Sequence, residues 1–133
     1  MTAGPPGTPL AQTLGLKRGM RCWFHNMPDG VRGAIDPEAM GVEEQPTASD
    51  GLQCALLFVT NRGKLERELA ALRPLLATNG FVWIAWPSQI AASDLSAEIV
   101  RDVAEPSGLA DDMAYALDEN WSALKLVIRK DTR

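Results

Sequence analysis

The sequence has one histidine and two cysteines, which removes most of the metal and nucleophile chemistry those residues carry. Two thiols cannot build a disulfide scaffold or a zinc ribbon. Cys22 and Cys54 both sit in apolar runs, where they read as buried thiols in a reducing cytoplasm. A site made of carboxylates alone, suited to magnesium, stays open. Long apolar runs are absent too: none approaches the roughly 20 residues that span a bilayer. Met1–Pro9 lacks the basic start and apolar centre of a secretory signal. Basic charge is in deficit, with 13 Lys and Arg against 17 Asp and Glu and a net charge of −4. Nucleic-acid binders carry a basic face to neutralise phosphates, so that class is disfavoured. The partners to expect are a protein or a small ligand, with neither nucleic acid nor membrane.

What remains describes a single globular domain. The 133 residues are enough for one continuous core, and 46% of them are hydrophobic. Residues 1–8, rich in Gly, Pro and Thr, should be disordered or loosely attached, leaving 9–133 as the domain. Pro9–Leu14 suits a short helix ended by Gly15, and Gly19 a turn into an apolar strand, Met20–His25. Asp29-Gly30 marks a turn. Asp36 can cap a short helix opened by Pro37 and Glu38, and Gly41–Gln45 makes at best an edge strand. Pro46–Gly51 is a loop, and Cys54–Thr60 is the clearest buried strand.

Asn61 should then cap a helix to about Leu72, with Leu65, Leu69, Leu72 and Leu76 inward and Lys64, Glu66, Arg67 and Glu68 outward. Pro74 predicts a kink near Arg73, and Asn79-Gly80 a left-handed helix end. Phe81–Trp86, stopped by Pro87, completes a right-handed βαβ unit. Ser93 or Asp94 should cap a second helix carrying Leu95, Ile99, Val100 and Val103, which ends before Pro106. Met113–Leu117 is a strand, Asp118-Glu119-Asn120 a turn, and Ala123–Arg129 an antiparallel strand near a sheet edge. The predicted fold is three-layer α/β: a mostly parallel sheet flanked by helices, with an antiparallel C-terminal strand.

Three phrases carry a resemblance. Leu14-Gly15-Leu16-Lys17-Arg18-Gly19-Met20-Arg21 looks like the approach to the first strand in class I methyltransferases. Leu72-Arg73-Pro74-Leu75-Leu76-Ala77-Thr78-Asn79-Gly80-Phe81-Val82-Trp83 is similar to their helix-to-strand passage. Glu119-Asn120-Trp121-Ser122-Ala123-Leu124-Lys125 resembles the C-terminal phrase of a family of short bacterial proteins of unknown function with a shortened methyltransferase-like, Rossmann-like fold. That family tends to place Trp-Pro-Lys where this chain has Trp86-Pro87-Ser88. The resemblance implies S-adenosylmethionine as the cofactor to consider. It would need a Gly-x-Gly loop after the first strand and an acidic residue, here Glu43 or Glu44, after the second. The loop is instead His25-Asn26-Met27-Pro28-Asp29-Gly30, which has no glycine-rich cradle, so no cofactor is expected.

Ligands of open α/β sheets gather at the carboxyl ends of the strands, where strand order switches. If the first strand and the Cys54 strand are neighbours, that crevice is lined by His25, Asn26, Thr60, Asn61 and Arg62, with Trp86 and Ser88 one strand further on. His25 suits a general base, or a strand-end histidine bonded to a loop. Asn61 and Arg62 suit an anion at a helix start, or an ordinary cap followed by a solvated arginine. Trp86 suits stacking on a planar ligand, or core packing. Ser122 has no base nearby in sequence, and Asp111-Asp112 and Asp118-Glu119 belong to expected turns. Two functions follow: a non-catalytic methyltransferase-like protein acting in protein interaction or small-ligand sensing, or a small enzyme or binder of a nucleotide-like ligand. A homodimer using the Gly41–Gln45 edge would suit either.

Overall fold

The computed structural model describes residues 8–89 and 94–129. Thr8 caps α1 (Pro9–Thr13): its Oγ accepts from the Ala11 amide at 3.2 Å and donates to the Ile35 carbonyl at 3.1 Å. Gly15 and Gly19, at φ +84 and +78, turn the chain into β1 (Arg21–His25). Asp29-Gly30 does not form a turn; it opens α2 (Asp29–Ile35). Pro28 is extended at the cap position, and Asp29 complements the helix dipole in the first turn. The apolar stripe of this short helix is only Val31 and Ile35, too little for a periodic signal. Asp36 caps α3 (Pro37–Met40) as expected, accepting from the Ala39 amide at 3.4 Å.

Three-residue β2 (Glu43–Gln45) precedes β3 (Leu52–Phe58). Asn61 then caps α4 (Arg62–Leu72), and Pro74 converts its end into a 3₁₀ turn over Arg73–Leu75. Leu76 lies outside the helical stripe, because β4 (Leu76–Pro87) begins there and Asn79-Gly80 is inside the strand. Ser96, not Asp94, caps α5 (Ala97–Ala104), its Oγ accepting from the Ile99 amide at 3.3 Å. Ser93 falls outside the described residues. The last strands are β5 (Leu109–Ala116) and β6 (Trp121–Ile128), so Asp111 and Asp112 belong to a strand rather than a turn.

The strands form one six-stranded sheet in the order β2-β1-β3-β4-β6-β5. β2, β1, β3 and β4 pair in parallel, and β6 runs antiparallel between β4 and β5. The mostly parallel sheet with an antiparallel C-terminal strand is therefore as expected. The edge next to that strand is β5. Alternation along the strands sends side chains to two cores. On one face Leu57, Val82, Ile84 and Leu124 meet Leu65, Leu69, Val100 and Val103 of α4 and α5. On the other, Cys22, Phe24, Leu56 and Trp83 meet Ala11, Val31 and Ile35 of α1 and α2.

The β2 edge is held by Arg32 of α2. Its guanidinium grips the Glu44 carboxylate with two bonds, of 2.9 and 2.7 Å. The hydrogen bond and charge of Arg32 hold the Glu44 carboxyl below its ordinary range. A depressed carboxyl stabilises the fold above its unfolded-state pKa and loses that contribution as pH falls through the folded-state value. Both side chains are more than a third exposed, so screening trims the effect. Glu44→Gln should lower stability by about 0.5–1 kcal/mol near neutral pH. Urea midpoints for the two proteins should converge in acid; a gap that persists there would assign the effect to packing.

Candidate functional site

β1 and β3 are neighbours, with Cys22 opposite Cys54 and His25 opposite Leu57. Strand order reverses between them, so their carboxyl ends form the switch point. His25 ends β1 on the α4 side, its ring 5.2 Å from that of Trp23. Its Nε2 stands 3.8 Å from the Glu68 carboxylate on α4 and 3.2 Å from Asn26 Nδ2. Asn26 holds a φ of +56, a region other side chains avoid and asparagine tolerates. β1 thus turns sharply into α2 without a glycine, and the Asn26 side chain folds back on His25.

Asn61 and Arg62 sit at the start of α4, where two of the free amides, those of Arg62 and Lys64, are already used. Asn61 Oδ1 accepts from the Lys64 amide at 2.8 Å, and Asp94 Oδ1 accepts from the Arg62 amide at 3.0 Å. A carboxylate of the protein itself therefore stands where an anion would dock. The Arg62 guanidinium turns along the helix to Glu66, at 3.2 Å. Thr60 is exposed between β3 and α4.

Trp86 and Ser88 lie at the end of β4, beyond β3. Trp86 is buried among Leu95, Val100 and other residues of the α4–α5 core, so packing takes its ring. Ser88 ties β4 to the β5–β6 turn: its amide donates to the Asn120 carbonyl at 2.8 Å, and its Oγ lies 3.1 Å from Ser122 Oγ. Trp121 packs edge-on against Phe58, with centroids 5.0 Å apart. The structure thus brings His25 and Asn26 together and adds two residues that sequence reasoning does not place there, Glu68 and Asp94. Glu68 reads as outward-facing in sequence because the tilt of α4 over β1 is a tertiary fact. Asp94 lies well beyond Arg62 in sequence, and no local spacing signals that contact.

Three of the four residues in the other acidic pairs have partners within the chain. Asp111 meets Arg101 at 3.1 Å and Asp112 meets Lys125 at 3.5 Å. Asp118 Oδ1 accepts from the amides of Asn120 and Trp121 and closes the turn. Among the described residues, no cluster of three or more His, Cys, Asp or Glu side chains is arranged for a metal ion. Cys22 and Cys54 are both free and buried, and burial pushes the Cys54 thiol well above its ordinary range. A thiol held protonated in this way is a poor nucleophile.

Comparison with known proteins places the chain. The profile of a family described as a protein of unknown function, DUF3052, matches residues 12–130. The chain belongs to the DUF3052 family. No curated protein matches it. Among solved structures, this DUF3052 chain is similar to a SAM-dependent methyltransferase from Aquifex aeolicus, with a TM-score of 0.65 and 12% identity over 88% of this chain and 86% of that one. It is also similar to fibrillarin, a pre-rRNA processing protein of Methanococcus jannaschii, with a TM-score of 0.57 and 12% identity over 90% and 73%. A pericyclic-reaction enzyme matches with a TM-score of 0.56 and 11% identity, and the chain spans 47% of its length. The fold is that of class I methyltransferases, Rossmann-like, and at such identities the likeness concerns fold alone.

The chain's residues do not fit S-adenosylmethionine in the manner of that fold. The passage from β1 to α2 holds no glycine, Gly30 lying already inside α2, and Pro28 has no amide to donate. Glu44, one of two candidates for the ribose hydroxyls, is held by Arg32 through both oxygens.

Proposed function

We propose that this chain is a non-catalytic methyltransferase-like protein, working by binding a protein partner or sensing a small ligand. The observation that carries this reading is the passage from β1 to α2. It keeps the sharp turn of a cofactor loop, but the turn is made by Asn26 at φ +56 and its amide group is spent on His25. The pairing of Asp94 with the α4 amide supports the same reading, since an anionic ligand would have to displace it. Free thiols at Cys22 and Cys54 fit a reducing compartment such as the cytoplasm, and the acidic balance fits a partner other than nucleic acid.

One contact favours the second reading, a binder or enzyme for a nucleotide-like ligand at the strand ends. His25, partly exposed at the strand ends, has the Glu68 carboxylate 3.8 Å from its Nε2, which sets an imidazole and an acid side by side. A thermal-shift screen separates the two. A ligand present at a hundred times its Kd stabilises the fold by about 2.7 kcal/mol, a shift of several degrees. The melting temperature should stay unchanged with S-adenosylmethionine, its demethylated product, NAD and common nucleotides. A saturable rise that disappears in His25→Ala or Arg62→Ala would replace the first reading by the second.

A further inference from the structure

The sheet has two edges, and they differ in chemistry. β2 is short, and Glu43 and Glu44 are exposed on it, so a second β2 laid alongside would oppose acid to acid. β5 is an eight-residue edge whose side chains from Asp111 to Ala116 are all exposed. Its Met113 and Tyr115, 39% and 38% exposed, are the large apolar side chains left in solvent among the described residues. They stand opposite Lys125 and Ala123 of β6, on the α1–α2 face. The charges that usually guard such an edge are neutralised within the chain, Asp111 by Arg101 and Asp112 by Lys125. Met113-Ala114-Tyr115-Ala116 is thus an uncharged strand edge with no partner among the described residues.

The backbone phase selects which residues look outward. The Leu117 amide donates to the Trp121 carbonyl at 2.9 Å, so Leu117, Tyr115 and Met113 turn their backbone groups toward β6. Ala114 and Ala116 then direct theirs to the open edge. We infer that β5 pairs antiparallel with β5 of a second copy of this chain, Ala114 opposite the partner's Ala114. In that register each Met113 faces the partner's Tyr115 on one sheet face, a sulfur–aromatic pair made twice around the two-fold axis. Asp112 is the extra residue of a bulge, since β5 advances from Asp111 to Met113 while β6 steps only from Leu126 to Lys125, so regular pairing with the second copy runs over Met113–Ala116 and opposes no like charges. Sliding the strands until the two Tyr115 or the two Met113 meet would break both sulfur–aromatic pairs. Those pairs therefore favour the register centred on Ala114. β4 and β6 separate this edge from the β1–β3 crevice, so dimerisation does not depend on the ligand question.

Light scattering on the intact chain tests the pairing. The mass expected is twice the 14.4 kDa of one chain. Ala114→Pro removes an outward amide, and Tyr115→Lys places a charge on the pair; each should halve the mass with an unchanged circular dichroism spectrum. Glu43→Ala, on the other edge, should leave the dimer intact. Hydrogen exchange at the Ala114 and Ala116 amides should be slow in the dimer and fast in Tyr115→Lys. If Ala114→Pro fails to fold, Tyr115→Lys decides alone, since its side chain is already partly in water. A monomeric mass for the unaltered chain, or a dimer that survives Tyr115→Lys, would overturn the inference. So would a dimer lost in Glu43→Ala.

Discussion

Trp83→Ala should cost about 3–5 kcal/mol, the range for truncating a buried aromatic side chain. Whole-domain stabilities run to about 5–15 kcal/mol, so much of the folded population is at stake. Trp83 is fully buried in β4, next to Leu56 of β3 on one side and Lys125 of β6 on the other. Its Nε1 donates to the Leu14 carbonyl at 2.9 Å and so ties the end of α1 to the sheet centre. Trp83→Phe separates the two contributions. It keeps most of the apolar surface and leaves the buried Leu14 carbonyl without its donor, at about 1–3 kcal/mol. Urea midpoints measure both, and hydrogen exchange should accelerate selectively in α1 for the phenylalanine variant, and in α1 and the sheet alike for the alanine variant. Equal midpoints for Trp83→Phe and the unaltered protein would show that the indole does not anchor α1.

That indole bond explains why the fold is legible in outline and less so in detail. The strands that stand out in the sequence, around Phe24, Leu56 and Ile84, are covered on both faces and therefore continuous in apolar residues. Asn61 and Asp36 are caps whose side chains bond within their own helix, so local spacing suffices to find them. The misplacements share a cause. Asn79-Gly80 has the chemistry of a helix terminator, and α2 has too few apolar residues to show a period. In each case tertiary contacts override the local preference. β5 begins at Leu109, earlier in the chain than its pattern suggests, because Asp111 and Asp112 near its start carry charge that long-range partners neutralise.

The candidate site follows the same division. Position along the strands is legible, because switch-point topology follows from strand order. Occupancy is not. Whether Arg62 has a free amide depends on Asp94, and whether His25 has a carboxylate neighbour depends on the lie of α4 across β1. At the strand ends of this methyltransferase-like frame, Asp94 and Glu68 come from elsewhere in the chain to stand beside the Arg62 amide and His25.

Gly80→Ala is the second large effect to expect, and its cause is backbone crowding. A Cβ built at Gly80 would lie 2.9 Å from the Leu52 carbonyl oxygen and 3.0 Å from that of Ala77, with the Ala77 nitrogen at 3.3 Å. These are main-chain atoms, so no side-chain rotation relieves the clash. The register explains the crowding: β3 advances from Leu52 to Cys54 while β4 advances from Leu76 to Phe81, and the surplus of β4 folds back on itself. Forcing a methyl group into that return should cost about 1–3 kcal/mol. Gly33→Ala supplies the control of opposite sign. It lies inside α2, a methyl group there would meet nothing within 4 Å, and alanine in a helix gains about 0.5–1 kcal/mol over glycine. Urea midpoints should therefore fall for Gly80→Ala and rise for Gly33→Ala. If Gly80→Ala matches the unaltered protein, the β3–β4 irregularity is soft enough to absorb a side chain, and glycine there serves the strand's flexibility instead of its packing.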